Sequence, residues 1–166
     1  MNPKPWTWKH KLLVLAFVGI TTSTLINTQY SAIAAGRAPQ SECKKYALAI
    51  KPLAPSETYI LNKYGSVTGK NYKDDMTSFN TINALLPKVN DFISKIEAIT
   101  PSNSVLASAH QIYVNAWNDY DQAFLVILDA MQKQSYSEVA QANQTLSTAR
   151  NLIRSFQSAV RAACYY

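Results

Sequence analysis

Histidine is almost missing from this chain. Of the two in 166 residues, His10 lies at the extreme start and only His110 stands in the remainder. That scarcity removes most metal and acid–base chemistry at once. A zinc site needs His or Cys partners at helical spacing, and one turn beyond His110 stands Val114. Ferritin-like di-iron sites require Glu-x-x-His on facing helices. None of Glu42, Glu57, Glu97 or Glu138 has a histidine at the third position. The C-x-x-C-H of covalent haem attachment is absent too. Gly65-Ser-Val-Thr-Gly69-Lys70 has three residues between its glycines where a phosphate loop has four, and Asn71 replaces the magnesium-holding Ser or Thr. It reads as a flexible connection. Asp119 and Asp121 flank Tyr120 and should diverge into solvent, so no convergent carboxylate pair is expected. With no catalytic, cofactor or metal constellation, the expectation is a non-enzyme without a cofactor.

Charge of one sign is also in short supply. Lys4, Lys9 and Lys11 precede a continuous apolar run, Leu12 to Ile20, and small residues end in Ala32-Ile33-Ala34. This reads as a signal peptide over residues 1–34 with a small-x-small cleavage site. The run is too short for a comfortable membrane span. An uncleaved anchor extended to Ile26 is the alternative that the polar stretch Thr21–Ser31 leaves open. The leader takes those three lysines and no acid with it. Of 16 basic and 10 acidic residues, 13 and 10 remain, a net charge of about +3. A nucleic-acid partner would need a stronger basic field. Membrane contact is expected only through an uncleaved leader or a weak surface encounter.

Cysteine is limited to Cys43 and Cys164, near the two ends of the domain 35–166. An even count in an exported domain suggests a disulfide, and hence an extracytoplasmic location, periplasmic or secreted. Four antiparallel helices return the chain to its starting end, where these residues could meet.

What the chain does have is helical period. From Leu106 the apolar series steps by three and four through Ala109, Tyr113, Ala116, Tyr120, Ala123, Ile127 and Ala130. It resumes after Gln134-Ser135 as Val139, Ala142, Leu146, Ala149, Ile153, Phe156, Val160 and Ala163. Strands would alternate every second residue, so two long helices joined by a tight turn are predicted. A line at seven-residue spacing, His110, Trp117, Phe124 and Met131, widens the third helix's apolar face. A second helix is read from Asp74 to Ile99 on Phe79, Ile82, Leu86, Val89, Ile93 and Ile96, with a kink at Pro87. The first begins near Ser41 and carries Cys43, Tyr46, Ile50 and Leu53, with Pro52 and Pro55 interrupting it. Thr100-Pro101 and Ser135-x-x-Glu138 read as helix starts. The fold class expected is all-α: an up-down-up-down four-helix bundle with a short, proline-interrupted first helix.

Functional expectations rest on fewer residues. Arg150, Arg154 and Arg161 fall within roughly 40° of one another on the last helix. Such a stripe can bind carboxylates or phosphates of an anionic or protein partner, joined by Lys44, Lys45 and Lys51. Buried Tyr113 and Tyr120 should need polar partners for their hydroxyls, an expected layer of Asn, Gln and Ser that could line a small pocket. Finally, Leu128–Arg154, chiefly the run Thr145-Leu-Ser-Thr-Ala-Arg-Asn-Leu-Ile-Arg154, resembles the end of the exported b-type cytochrome bundles. That resemblance implies a bundle. It does not carry the haem over, because Arg154 stands where those proteins place the ligating histidine. A periplasmic haem- or metal-carrying bundle using His110 is therefore the alternative to the leading expectation, a non-enzymatic binding or structural module.

Overall fold

The structure, a computed structural model, describes residues 36–164, so the expected signal peptide lies outside the described residues. Helix α1 spans Gln40–Ile50, followed by a 3-10 turn Lys51–Leu53 and helix α2 Ala54–Gly65. Helices α3 (Asp75–Glu97), α4 (Ser104–Lys133) and α5 (Tyr136–Cys164) complete the chain. Among the described residues there is no strand. The architecture is all-α, with α1 and α2 together forming the first of four packed rods.

Pro52 and Pro55 lack the N–H that an α-helix interior uses. Here the chain tightens into one 3-10 turn rather than reversing: Ile50, Lys51, Leu53 and Ala54 all keep right-handed helical angles. Asp74 caps α3 by accepting from the Thr77 N–H at 2.7 Å. Pro87 sits exposed within that one continuous helix.

Two boundaries differ from the sequence expectation. Helix α1 starts after Pro39 and has no side-chain cap, so Ser41 lies inside it. Helix α4 starts at Ser104, because Asn103 takes two free N–H groups, Val105 at 3.0 Å and Leu106 at 3.2 Å. Thr100 and Pro101 stay in the preceding loop. The α4–α5 connection is only Gln134-Ser135, with Gln134 left-handed at φ 55° and Ser135 N–H returning to the Ala130 carbonyl at 2.8 Å. Such a closing residue satisfies the last carbonyls of the helix.

Cross-helix contacts run in antiparallel order for two pairs of rods. On α4 and α5, Tyr113 meets Phe156 and Tyr120 meets Arg150. Between the first rod and α5, Cys43 meets Cys164 while Tyr64 meets Asn143. The Cys43–Cys164 disulfide has its Cα atoms 5.7 Å apart, and beside it Ala38 N–H donates to the Ala163 carbonyl at 3.0 Å. Both ends of the domain are thus fixed together.

The core is an aromatic column on α4. Trp117, Tyr120 and Phe124 have no exposed surface, and Phe92 of α3 joins them. Trp117 lies 4.5 Å from Phe92 and 5.0 Å from Tyr120, centroid to centroid. Tyr113 stacks on Phe156 at 4.4 Å, and Phe124 meets Tyr64 at 4.9 Å. Each such pair is worth about 0.5–1.5 kcal/mol beyond its buried area. The buried seam of α3 is Ser78, Ile82, Leu85, Val89, Phe92, Ile93 and Ile96. Phe79 and Leu86, expected on that face, are only half-buried. Ser78 is accommodated because its hydroxyl donates to the Val67 carbonyl at 2.9 Å.

Candidate functional site

A groove of about 690 Å³ opens where the α2–α3 connection passes the α4–α5 turn. Its volume lies within the range of small-molecule sites. The walls are apolar, from Val67, Ile82, Ile127, Ala130, Met131 and Val139. Tyr72 and Tyr136 flank it, both with more than half their surface open. The Tyr72 hydroxyl donates to Asp75 Oδ1 at 2.6 Å, and that carboxylate pushes its pKa up to about 12.

Arg150 reaches the same groove from α5. Its Nε–H donates to the Tyr120 hydroxyl at 3.1 Å, and its guanidinium carbon lies 5.7 Å from the Tyr64 ring centroid. Both aromatic partners are themselves held. Tyr120 is wedged in the aromatic column, and the Tyr64 hydroxyl donates to Asn143 Oδ1 at 2.9 Å. Burial pushes the Tyr64 phenol up to about 12, with the Arg150 charge acting the other way. Among the described residues the ion pairs are Lys95–Asp91 and Lys133–Asp129, so none of them neutralises Arg150.

The expected arginine stripe is consequently divided. Both Arg150 and Arg154 are exposed, but Arg150 donates across to Tyr120, whereas Arg154 bonds only to Asn151 Oδ1 of its own helix, at 3.4 Å. Arg161 is exposed three residues before the disulfide. Arg150 and Arg161 are roughly 16 Å apart along the helix axis. One small anion cannot touch both.

His110 is buried and fully engaged. Nε2 lies 2.9 Å from the Ile96 carbonyl, and Nδ1 lies 2.9 Å from the Tyr46 hydroxyl. A carbonyl only accepts, so Nε2 carries the proton and Nδ1 accepts from Tyr46. Burial lowers the pKa of the ring, keeping it neutral. Neither nitrogen offers a lone pair without breaking one of these bonds. Among the described residues no group of three or more His, Cys, Asp or Glu is placed to hold a metal.

Asp119 and Asp121 do not point freely into water. Both are half-buried, burial raises both pKa values, and Asp121 Oδ1 is enclosed without a hydrogen-bond partner. The sequence reading expected a broad apolar face on α4 but missed that enclosure, because the cover extends to the edges of the open face, where both aspartates stand. It also missed Glu57. This half-buried carboxylate on α2 meets the Tyr113 hydroxyl, and burial raises its pKa against that interaction. The Trp117 indole N–H approaches the same hydroxyl without completing a hydrogen bond. Need for a partner at Tyr120 was legible; that an arginine would supply it was not.

Among the described residues no helix is long and apolar enough to cross a membrane. No protein-family model, no curated protein and no solved structure matches the chain. The function must be argued from the groove itself.

Proposed function

We propose that this chain is an exported, non-enzymatic binding protein of an extracytoplasmic compartment, and that the groove beside Arg150 is its ligand site. The observation that carries this reading is Arg150: a cation oriented by Tyr120 and Tyr64, facing an apolar groove, with no neutralising carboxylate among the described residues. Arginine is often paired where its role is structural. Here it is positioned and left open, which favours a partner brought from outside. The disulfide and the expected leader support export, because such bridges persist in oxidising compartments.

The test is equilibrium dialysis of the full-length protein against the small-molecule fraction of its native compartment, followed by mass spectrometry. Val139 lines the groove and is only half-buried, so Val139→Trp fills the space without opening the core. A compound retained by the wild type, absent from Val139→Trp and kept by the double variant Arg154→Gln/Arg161→Gln fits the proposal. Retention by Val139→Trp, or no retained compound at all, would refute it. Loss in the double variant alone would instead favour an extended anionic partner lying along the outer stripe.

A further inference from the structure

We propose that the groove takes a small organic monocarboxylate with an apolar or aromatic body, its carboxylate seated on Arg150. This rests on the groove being the ligand site and names the class of ligand.

The argument starts from the arginine's hydrogen-bonding edges. A guanidinium presents five N–H donors in a fixed plane. The Nε–H is spent on the Tyr120 hydroxyl, a residue with no exposed surface that cannot follow a moving partner. Tyr64, only 2% exposed, lies beside the guanidinium and restricts its tilt. What is left is the pair of terminal nitrogens, whose parallel N–H groups match the two oxygens of one carboxylate. The rotamer freedom that arginine normally loses on binding is already restricted, so less is forfeited when the ligand arrives.

The surroundings choose among anions. Among the described residues, no lysine and no second arginine lines the groove. A phosphate monoester carries close to two negative charges at neutral pH and is usually met by several donors. One guanidinium balances one carboxylate. Asn143 adds a neutral donor on the same wall: its Oδ1 is occupied by Tyr64, and its NH2 remains to bond a ligand oxygen. Among the described residues the only acid lining the groove is Asp75, whose Oδ1 accepts from the Tyr72 hydroxyl.

The rest of the ligand follows from the walls. From Arg150 to Tyr136 the groove extends roughly 20 Å along α5 at 1.5 Å per residue. Between them stand Val139, Ile127, Ala130 and Met131, with aromatic rings at the outer end. An alkyl chain or an aryl group would bury against these side chains, on a wall that is mostly apolar. A compact polar acid such as acetate would leave that surface wet.

The experiment titrates the full-length, disulfide-bonded protein by calorimetry with octanoate and 4-phenylbutyrate. The controls are the corresponding amides and octyl phosphate. At least one carboxylate should bind, with its amide at least tenfold weaker. Arg150→Gln should weaken the acid at least tenfold and bring acid and amide level. Tyr120→Phe, which frees the guanidinium but keeps its charge, should weaken the acid a few-fold and preserve the preference. Val139→Trp should abolish binding. Arg150→Gln removes the hydrogen-bond partner of the buried Tyr120 hydroxyl, so an unchanged circular dichroism spectrum is required of this variant, and Tyr120→Phe/Arg150→Gln, which leaves no orphaned hydroxyl, should lose the preference for the acid equally. Equal binding of acid and amide by the wild type overturns the carboxylate, while leaving the groove as a site for a neutral ligand. Tighter binding of the phosphate overturns it as well. If neither acid nor amide binds, the inference falls, and the dialysis experiment decides separately whether the groove reading falls with it.

Discussion

Removing the disulfide should lower stability by an amount set almost entirely by loop length. Cys43 and Cys164 are 121 residues apart in sequence, so the bridge closes nearly the whole domain into one ring. In the chain-entropy description, a loop of that size removes about 16 cal/mol/K from the unfolded ensemble, or about 5 kcal/mol at 25 °C. Unfolding a domain of about 130 residues gains roughly 0.27 kcal/mol/K, so the melting temperature should fall by up to roughly 18 °C. Residual structure in the unfolded chain reduces the effect, and a fall of about 10–18 °C is expected. The native contacts near the bridge, including the Ala38–Ala163 hydrogen bond, are present in both forms and cancel to first order. The assay is differential scanning calorimetry of the oxidised wild type against Cys43→Ser/Cys164→Ser, with helix content followed by circular dichroism at 25 °C. A drop below about 5 °C would show that the unfolded ends already associate. Loss of helix at 25 °C would show the opposite failure: the bridge would then be holding the native bundle together rather than restricting the unfolded chain.

Three further outcomes follow from particular contacts. His110 has a lowered pKa, so below its ordinary value near 6.5 the unfolded chain takes up a proton that the native ring refuses. Stability contributed by the neutral ring is therefore complete above that pH and declines as the pH falls below it; His110→Gln should flatten this decline in denaturant midpoints measured from pH 7.5 to 5. Glu57 has the opposite sign, a carboxyl whose native pKa is raised chiefly by burial. Glu57→Gln should raise the melting temperature at pH 7.5, with the advantage shrinking as acid protonates the wild-type group; a constant difference across pH would refute the assignment. Asn103→Ala should cost about 1 kcal/mol of unfolding free energy, because the Val105 and Leu106 N–H groups both lose their acceptor. A cost below a few tenths of a kcal/mol would mean that water replaces the cap.

The helices were legible because their information is local and repeated. Along α4 and α5, misreading one residue hardly changes the direction of the apolar face, since a dozen others restate it. Leu106, Ala109, Tyr113, Tyr120, Ala142, Leu146, Ala149 and Ile153 are all buried where the period puts them. Register on α3 was less secure for the same reason. Its stripe is broader than one seam, and both Phe79-Leu86 and Ser78-Leu85-Phe92 fit the period. Packing against α4 selects the second set, since Phe92 is what meets Trp117 and Tyr113. Serine at 78 gave a misleading signal because its burial depends on the Val67 carbonyl, supplied by a loop that no period encodes. The start of α4 failed similarly: Thr100-Pro101 and Asn103 are all competent signals, and the chain used the one able to bond two N–H groups.

The candidate site shows where helical geometry stops being informative. An angular projection placed Arg150, Arg154 and Arg161 together because it follows Cα positions, and a long side chain departs from that line by several ångströms. What decides the direction taken is the demand at its tip. Tyr120 sits on the buried seam of α4, and a phenol enclosed there lacks a partner unless a neighbouring helix provides one. Antiparallel packing brings Arg150 opposite it. Arg154 is one turn further on, where the facing seam position is Tyr113, which is stacked on Phe156 and has Glu57 from α2 beside it. The two arginines, both exposed, therefore receive different roles from the same spacing: one is tied to Tyr120 and becomes the end of a groove, the other bonds only within its own helix. A tyrosine-to-phenylalanine exchange at position 120 should erase that distinction, returning Arg150 to the solvent-facing line with Arg154. If nitrogen-detected NMR then finds the Arg150 Nε–H as slow to exchange as before, the Tyr64 ring, not the Tyr120 hydroxyl, is what holds it.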